Sequence, residues 1–450
     1  MYSKKLLNLI PGGGHTYSRG FDQFPSGSPE ILFSGKGSYI YDLSKKKYLD
    51  YGMGLRSVNI GYADRDINQA VINAINLGNN LTLPTKIEFE AAKKFTNIIP
   101  SADMVKFTKH GSTAVTAAVK LARAFTKKNI ILRCRDHPFF SFDDWFIGST
   151  VMSRGVPKEI SNLTHLFNYN DIESLKTLVN KFKNNIACII LEPSSTTCPQ
   201  ISESDYVCCG KKNCDRDFKN KEHFLKKVQN ICRENGIVFI LDEMITGFRW
   251  HLKGAQFFYD VTPDLSTFGK AMANGYSLSA VSGKREIMEL GSIEKKGTER
   301  VFLLSSTHGG EMSGMAAFIS TLNKLKNKKV IDKNWDYGIK LKNIFNNIAK
   351  EMNIYDYIYM TGVGCSPYYI CLDKSKKPSQ IFKTLFVQQM LKSNILMPWI
   401  AISYSHGKKE LENTRKALIK TLEVYKKALK LGPDKFVKGR IIKPVFRKYN

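Results

Sequence analysis

The sequence predicts an α/β protein, a largely parallel sheet layered between helices and followed by a smaller α+β domain, on three observations. Short apolar runs at Ile130–Cys134, Ala187–Leu191, Ile237–Leu241 and Leu278–Val281 alternate with helix-length segments, the signature of a parallel sheet. The run Ile237–Leu241 is apolar throughout and stops on Asp242-Glu243, as a central strand does when it carries an acid to the carboxyl edge of a sheet. After Gly309 the alternation gives way to longer helical stretches.

In chain order, residues 1–60 form an arm followed by short strands at Glu30–Phe33 and Tyr39–Asp42, with turns at Gly35-Lys-Gly37 and Ser44–Lys46. Residues 61–308 form the large domain. Its helices are Ala70–Leu77, Glu88–Ile98 and Ser112–Ala124, the last with a small-residue face suited to close packing on a sheet, and Met104–Phe107 joins the strands. Residues 309–450 form the small domain: helices Glu311–Leu325 and Asp336–Glu351, a strand at Tyr368–Leu372, a helix at Ile381–Leu391 and an amphipathic helix at Lys408–Leu431.

A chain of 450 residues with 43% hydrophobic content exceeds one typical core. No apolar run approaches the roughly 20 residues that cross a bilayer, and Met1–Pro11 is too short an apolar stretch for a signal peptide. A cytoplasmic protein with no membrane partner is the expectation. Nine cysteines without a compact framework fit a reducing compartment. Cys198, Cys208, Cys209 and Cys214 lie in an insertion-like segment whose spacing lacks the paired pattern of a zinc ribbon. A polar loop with spare thiols is expected there, and no metal. The formal charge of +28 raises the question of nucleic acid. Its lysines are scattered as short pairs and triplets rather than gathered on one element, and only the stretch from Lys426 to Lys448 is dense. Nucleic acid is therefore not an expected partner.

The chemistry concentrates at Asp242 and Lys270. Lys270 stands in Ser266-Thr-Phe-Gly-Lys270-Ala-Met-Ala-Asn-Gly275, 28 positions after Asp242. Pyridoxal 5'-phosphate requires that pairing, an amine for its Schiff base and an anion for its pyridinium nitrogen. Gly111-Ser112-Thr113 supplies a glycine, two hydroxyls and a helix start for a phosphate, although an ordinary N-cap would look the same.

These stretches, together with Pro11-Gly-Gly-Gly-His-Thr-Tyr-Ser-Arg19, Tyr48-Leu-Asp50, Leu191-Glu-Pro193, Asp242-Glu-Met-Ile-Thr-Gly-Phe-Arg249 and Ser306-Thr307 with Gly309, run in a family's order from residue 11 to about residue 410. The sequence resembles the class III, fold-type I pyridoxal-phosphate aminotransferases, in their glutamate-1-semialdehyde aminomutase-like branch. The resemblance implies a mostly parallel seven-stranded sheet sandwiched by helices, with a small C-terminal domain. It implies that Lys270 carries the coenzyme and moves the substrate proton, that Asp242 holds the pyridine nitrogen protonated, and that Gly111, Ser112 and Thr113 bind the phosphate. Thr307 would contribute a hydroxyl from a partner subunit, hence a homodimer with shared active sites. Phe139 would stack on the ring where the family carries Tyr followed by His-Gly, and Met244 would pack behind it where valine is usual. Arg19 would clamp a substrate carboxylate, and Glu192 would lie on the substrate side.

The polar surroundings of Arg19, His15-Thr-Tyr-Ser18, depart from the family pattern and favour an aminotransferase. It would move an amino group from an amino acid donor to a keto or aldehyde acceptor, with a sugar or nucleotide-linked sugar among the candidates. The alternatives are a glutamate-1-semialdehyde 2,1-aminomutase making 5-aminolevulinate, and a catalytically silent binding protein on the same scaffold.

Overall fold

The computed structural model describes residues 2–194, 197–201, 218, 220–294 and 296–449. Two compact units divide it: Met1–Asp64 with Asp332–Arg447, and Arg65–Ile331.

The smaller unit begins with strands β1 (Leu32–Lys36), β2 (Tyr39–Asp42) and β3 (Lys47–Asp50), an antiparallel run. The larger unit contains β4 (Met104–Thr108), β5 (Ile130–Cys134), β6 (Thr164–Phe167), β7 (Ile186–Leu191), β8 (Val238–Glu243), β9 (Leu265–Phe268) and β10 (Ser279–Gly283). These make one seven-stranded sheet in the order β4-β10-β9-β8-β7-β5-β6. Only β10 runs against its neighbours, so the other strands are parallel. β5, β7 and β8 are buried at every position, as strands covered by helices on both faces must be. The chain then returns to the smaller unit with β11 (Ile358–Thr361), β12 (Tyr368–Cys371) and β13 (Ile395–Leu396). β13 pairs in parallel with β3 and so closes the β1–β3 sheet with a strand from the C-terminal segment.

The helix Gly111–Thr126 follows β4 directly. Ala114, Ala117 and Ala118 are buried on it, and with side chains this small its backbone seats closely on the sheet. Residues 309–331, assigned from the sequence to the C-terminal domain, fall in the larger unit. There the helix Met312–Asn327 packs on the helices Arg65–Asn76 and Lys86–Thr96. The helix Lys86–Thr96 starts on a capping box in which Thr85 and Glu88 satisfy each other's amides.

Phe95, on that helix, is wholly buried in an aromatic cluster, 5.2 Å from Phe268 and within 6.3 Å of Phe107, Phe248 and Phe318, ring centre to ring centre. Phe268 ends β9 immediately before Gly269-Lys270, so this cluster supports the strand that presents the lysine. Phe95→Ala is expected to destabilise the protein by about 3–5 kcal/mol, read as a lowered denaturant midpoint.

Candidate active site

In a strand, successive side chains take opposite faces of the sheet, and the two acids that end β8 have different surroundings. Glu243 accepts from the Thr246 hydroxyl at 2.9 Å, the amides of Ala255 and Gln256 at 2.6 and 2.9 Å, and the Gln256 side chain at 3.2 Å. It fastens the start of the helix Gly254–Phe258 and is a structural carboxylate. Asp242, 2% exposed, takes the Met244 amide at 2.9 Å and the Thr267 hydroxyl at 3.2 Å, both on Oδ1. Burial pushes its carboxyl up to about 6, opposed by the Met244 amide, the charge of Lys270 and the Thr267 hydroxyl.

Lys270 reaches the same edge from the neighbouring strand. β9 pairs with β8 so that Thr267 lies opposite Asp242 and Phe268 opposite Glu243. The lysine opens the turn Lys270–Ala273 with φ of 44°, a left-handed conformation that a long side chain holds only where its surroundings enforce it. The half-buried ammonium stabilises the ionised form of Asp242. The acid and the amine therefore share one electrostatic site.

Met244 fills the space beside them. A Cβ added at Gly111 would come within 2.8 Å of its sulfur, and one at Gly269 within 2.7 Å. Both glycines are required for this close approach, one opening the helix Gly111–Thr126 and the other preceding Lys270. At the helix start Ser112 Oγ accepts from the Phe142 amide at 3.2 Å, and Thr113 Oγ1 lies 2.7 Å from His110 Nδ1. The first amides of this sixteen-residue helix and its dipole form a seat for an anion.

Phe139 is 46% exposed with its ring edge-on to Phe146 at 5.6 Å. Thr307 lies on an exposed turn, where its carbonyl accepts from Asn80 at 3.1 Å. Glu192 follows β7, buried, and its amide donates to His137 Nδ1 at 3.0 Å. His137 stands just past β5 and is held down to about 3 by burial and then by the nearby Arg133 charge, so its imidazole is neutral. Neither His137 nor Phe142 is among the residues singled out from the sequence. For His137 the available signal is its place before Pro138, two residues ahead of the aligned aromatic.

Asp242 at the end of β8, and Lys270, Glu192, His137 and Gly111 just past the ends of their strands, lie at the carboxyl edge of the parallel strands, where open α/β sheets bind ligands.

Arg19 belongs to the smaller unit. It lines a cavity of about 480 Å³ whose walls include Phe21, Phe24, Leu55, Tyr62 and Trp399. Part of that wall is a left-handed run, φ 40° at Met53, 56° at Gly54, 60° at Leu55 and 67° at Arg56. The buried Asp50 holds its start, accepting from the amides of Gly52 and Met53 at 2.7 and 3.0 Å and from the Tyr62 hydroxyl at 2.6 Å. Cys198 is buried, and the Tyr259 hydroxyl donates to its sulfur at 3.6 Å. Cys208, Cys209 and Cys214 lie outside the described residues.

The model of the family described as "Aminotransferase class-III" matches residues 28–206 and 217–367. The chain belongs to the class-III aminotransferases. It is 32% identical over 366 residues to a glutamate-1-semialdehyde 2,1-aminomutase of Francisella philomiragia, covering 79% of this chain and 78% of that one. It is 30% identical over 437 residues to a 3-aminobutyryl-CoA aminotransferase of Cloacimonas acidaminovorans, covering 95% and 97%. Among solved structures, the FumI protein of Sphingopyxis sp. MTA144 in its PLP internal aldimine form superposes with a TM-score of 0.82 at 21% identity, covering 97% of this chain and 99% of that one. As expected from the sequence, the fold is that of the fold-type I enzymes.

Class-III aminotransferases use pyridoxal 5'-phosphate, and the donor set of this chain fits it. A buried carboxylate, a half-buried lysine and an amide-lined helix start answer its ring nitrogen, carbonyl carbon and phosphate.

Asp242 gives a test of this site apart from turnover. A buried acid whose folded value is raised contributes stability that is complete below the unfolded value near 4 and is lost as pH rises through the folded value. In coenzyme-free protein, wild type should therefore lose up to about 3 kcal/mol relative to Asp242→Asn between roughly pH 4 and 6.5. Urea unfolding of both proteins across that range measures the difference, and a pH-independent difference would refute burial as the cause.

Proposed function

We propose that this class-III aminotransferase transfers an amino group between an amino acid donor and a small keto or aldehyde acid, using Lys270 as the catalytic base. The observation that carries the reading is the shared site of buried Asp242 and left-handed Lys270 at the sheet's carboxyl edge.

When bound, pyridoxal phosphate supplies the electron sink that stabilises negative charge on the substrate carbon. Asp242 keeps the ring nitrogen protonated, since a close anion favours the charged form. The Lys270 amine takes the proton from the substrate carbon and returns it. Gly111, Ser112 and Thr113 would hold the phosphate through amides and hydroxyls, Phe139 would supply an aromatic surface for the ring, and Met244 would limit the space beside it. Glu192, oriented through its amide by neutral His137, serves the substrate side.

Arg19 takes the substrate carboxylate through charge-assisted hydrogen bonds. The walls of its cavity are largely aromatic and aliphatic, which supports an acid with an apolar body. They give no support to a polyhydroxylated sugar. A second reading, glutamate-1-semialdehyde 2,1-aminomutase, is favoured by relatives of that name at 29–32% identity.

A homodimer in the cytoplasm is part of the proposal, with Thr307 serving the partner's phosphate. Ile72, Ile75, Leu77, Leu81, Leu83 and Phe89 are each 49–75% exposed on the larger unit, an apolar surface of the kind a second copy covers. No disulfide joins the six described cysteines, in keeping with a reducing compartment. No helix among the described residues is long and apolar enough to cross a membrane.

Lys270→Ala is expected to abolish turnover, and full retained activity would refute the mechanism. Arg19→Ala should raise KM for acid substrates about 10- to 100-fold, the equivalent of a charged hydrogen bond of roughly 1.5–3 kcal/mol, with a smaller change in kcat. Product analysis with isotopic nitrogen in the donor separates the two readings. Label in the product supports intermolecular transfer, and 5-aminolevulinate formed from glutamate-1-semialdehyde without a donor supports the aminomutase.

A further inference from the structure

The helix Lys408–Leu431 carries exposed Lys409, Asn413, Lys416 and Lys420 at spacings of 4, 3 and 4, which align them on one face. Lys47 and Tyr39, from β3 and β2, and Ser393-Asn394, leading into β13, complete the walls of a cleft of about 440 Å³. Its lining also includes Leu49, Ile395 and Ala417, and it holds four lysines and no carboxylate.

Two carboxylates border the cleft without lining it. Glu410 accepts from the Tyr39 hydroxyl at 2.7 Å and the Gly407 amide at 3.0 Å. Glu412 serves Arg415 at 2.9 Å and, more loosely, Lys416 at 3.9 Å. Among the described residues Lys409, Lys420 and Lys47 have no carboxylate partner. Lys47 instead sits over the Tyr39 ring at 3.7 Å, a cation–π contact that fixes its position.

A chain with a formal charge of +28 carries lysine on every surface, yet elsewhere several of its lysines meet acids. Lys226 pairs with Asp260, Lys284 with Asp264, Lys324 with Asp66 and Lys376 with Asp356. What sets the cleft apart is that four lysines line one concavity. Cations gathered around one concavity lie within a Debye length of one another and create a focused positive potential.

We propose that this cleft binds a phosphorylated small molecule bearing at least two negative charges. Ammonium groups act as point donors to phosphate oxygens, and Asn394, Asn413 and Ser393 add neutral donors that orient a ligand. The volume lies within the roughly 300–1,000 Å³ of small-ligand sites. A bounded cleft backed by one helix face is short for tracking a nucleic-acid backbone. All its walls belong to the smaller unit, whereas Asp242 and Lys270 belong to the larger.

The test is calorimetric titration of the coenzyme-loaded protein with inorganic pyrophosphate at low ionic strength. One saturable site per chain is expected. Its affinity should fall about tenfold or more in Lys416→Ala/Lys420→Ala and, independently, in Lys47→Gln. The control Lys326→Ala/Lys328→Ala, which removes the same charge from exposed positions on the larger unit, should bind as wild type. Absence of saturable binding would overturn the proposal, and so would equal losses in the cleft and control variants, the mark of net charge alone. Circular dichroism confirms that each variant is folded, and Lys47→Gln tests a strand residue should the helix variant unfold.

Discussion

A carboxylate kept out of water at Asp242 is the constraint on which the site depends. Burial alone would neutralise it, and two hydrogen bonds and the charge of Lys270 oppose that outcome. On the proposed function, a positive ring nitrogen beside this acid would tip the balance further toward the anion. Its neighbour Glu243 shows what a buried carboxylate does when its surroundings are saturated with donors. With four hydrogen bonds from three residues it is fixed in place and fastens a helix.

The parallel sheet is what brings these groups together. Residues far apart in sequence, such as Gly111, His137, Glu192, Asp242 and Lys270, meet one edge because each ends or follows a strand running the same way. The strand before Lys270 is steadied by an aromatic cluster drawn from the helix Lys86–Thr96, strand β4, the turn that carries Phe248 and the helix Met312–Asn327. The carboxyl edge of the sheet and the core beneath it are thus one construction.

Much of this was legible in the sequence, for physical reasons. Ile130–Cys134, Ala187–Leu191 and Ile237–Leu241 stand out because a strand covered on both faces must be apolar throughout, and Asp242 and Lys270 stand out because their chemistry demands a fixed pairing. Other parts carried no local signal. β9 contains Ser266 and Thr267, buried yet satisfied by Ser282 and Asp242, so its composition reads as polar. β6 lies at the sheet's edge with two residues half-buried. β13 is two residues long and exists because of its pairing with β3, some 345 positions earlier. The same distance hides the lysine cleft, in which Lys47 meets a helix beginning at Lys408. His137 escaped because its role depends on an amide two strands away in sequence.

Met244 has a wider bearing. One thioether forms the shared wall of the helix start at Gly111 and of the backbone at Gly269, so the two turns are mechanically coupled. A smaller side chain at this position would open a void that both loops must settle into, and a displacement of either would be transmitted to the other. Anion seat and lysine turn therefore cannot be retuned separately, and replacements at positions 111, 244 and 269 should behave as a single unit rather than as three independent changes.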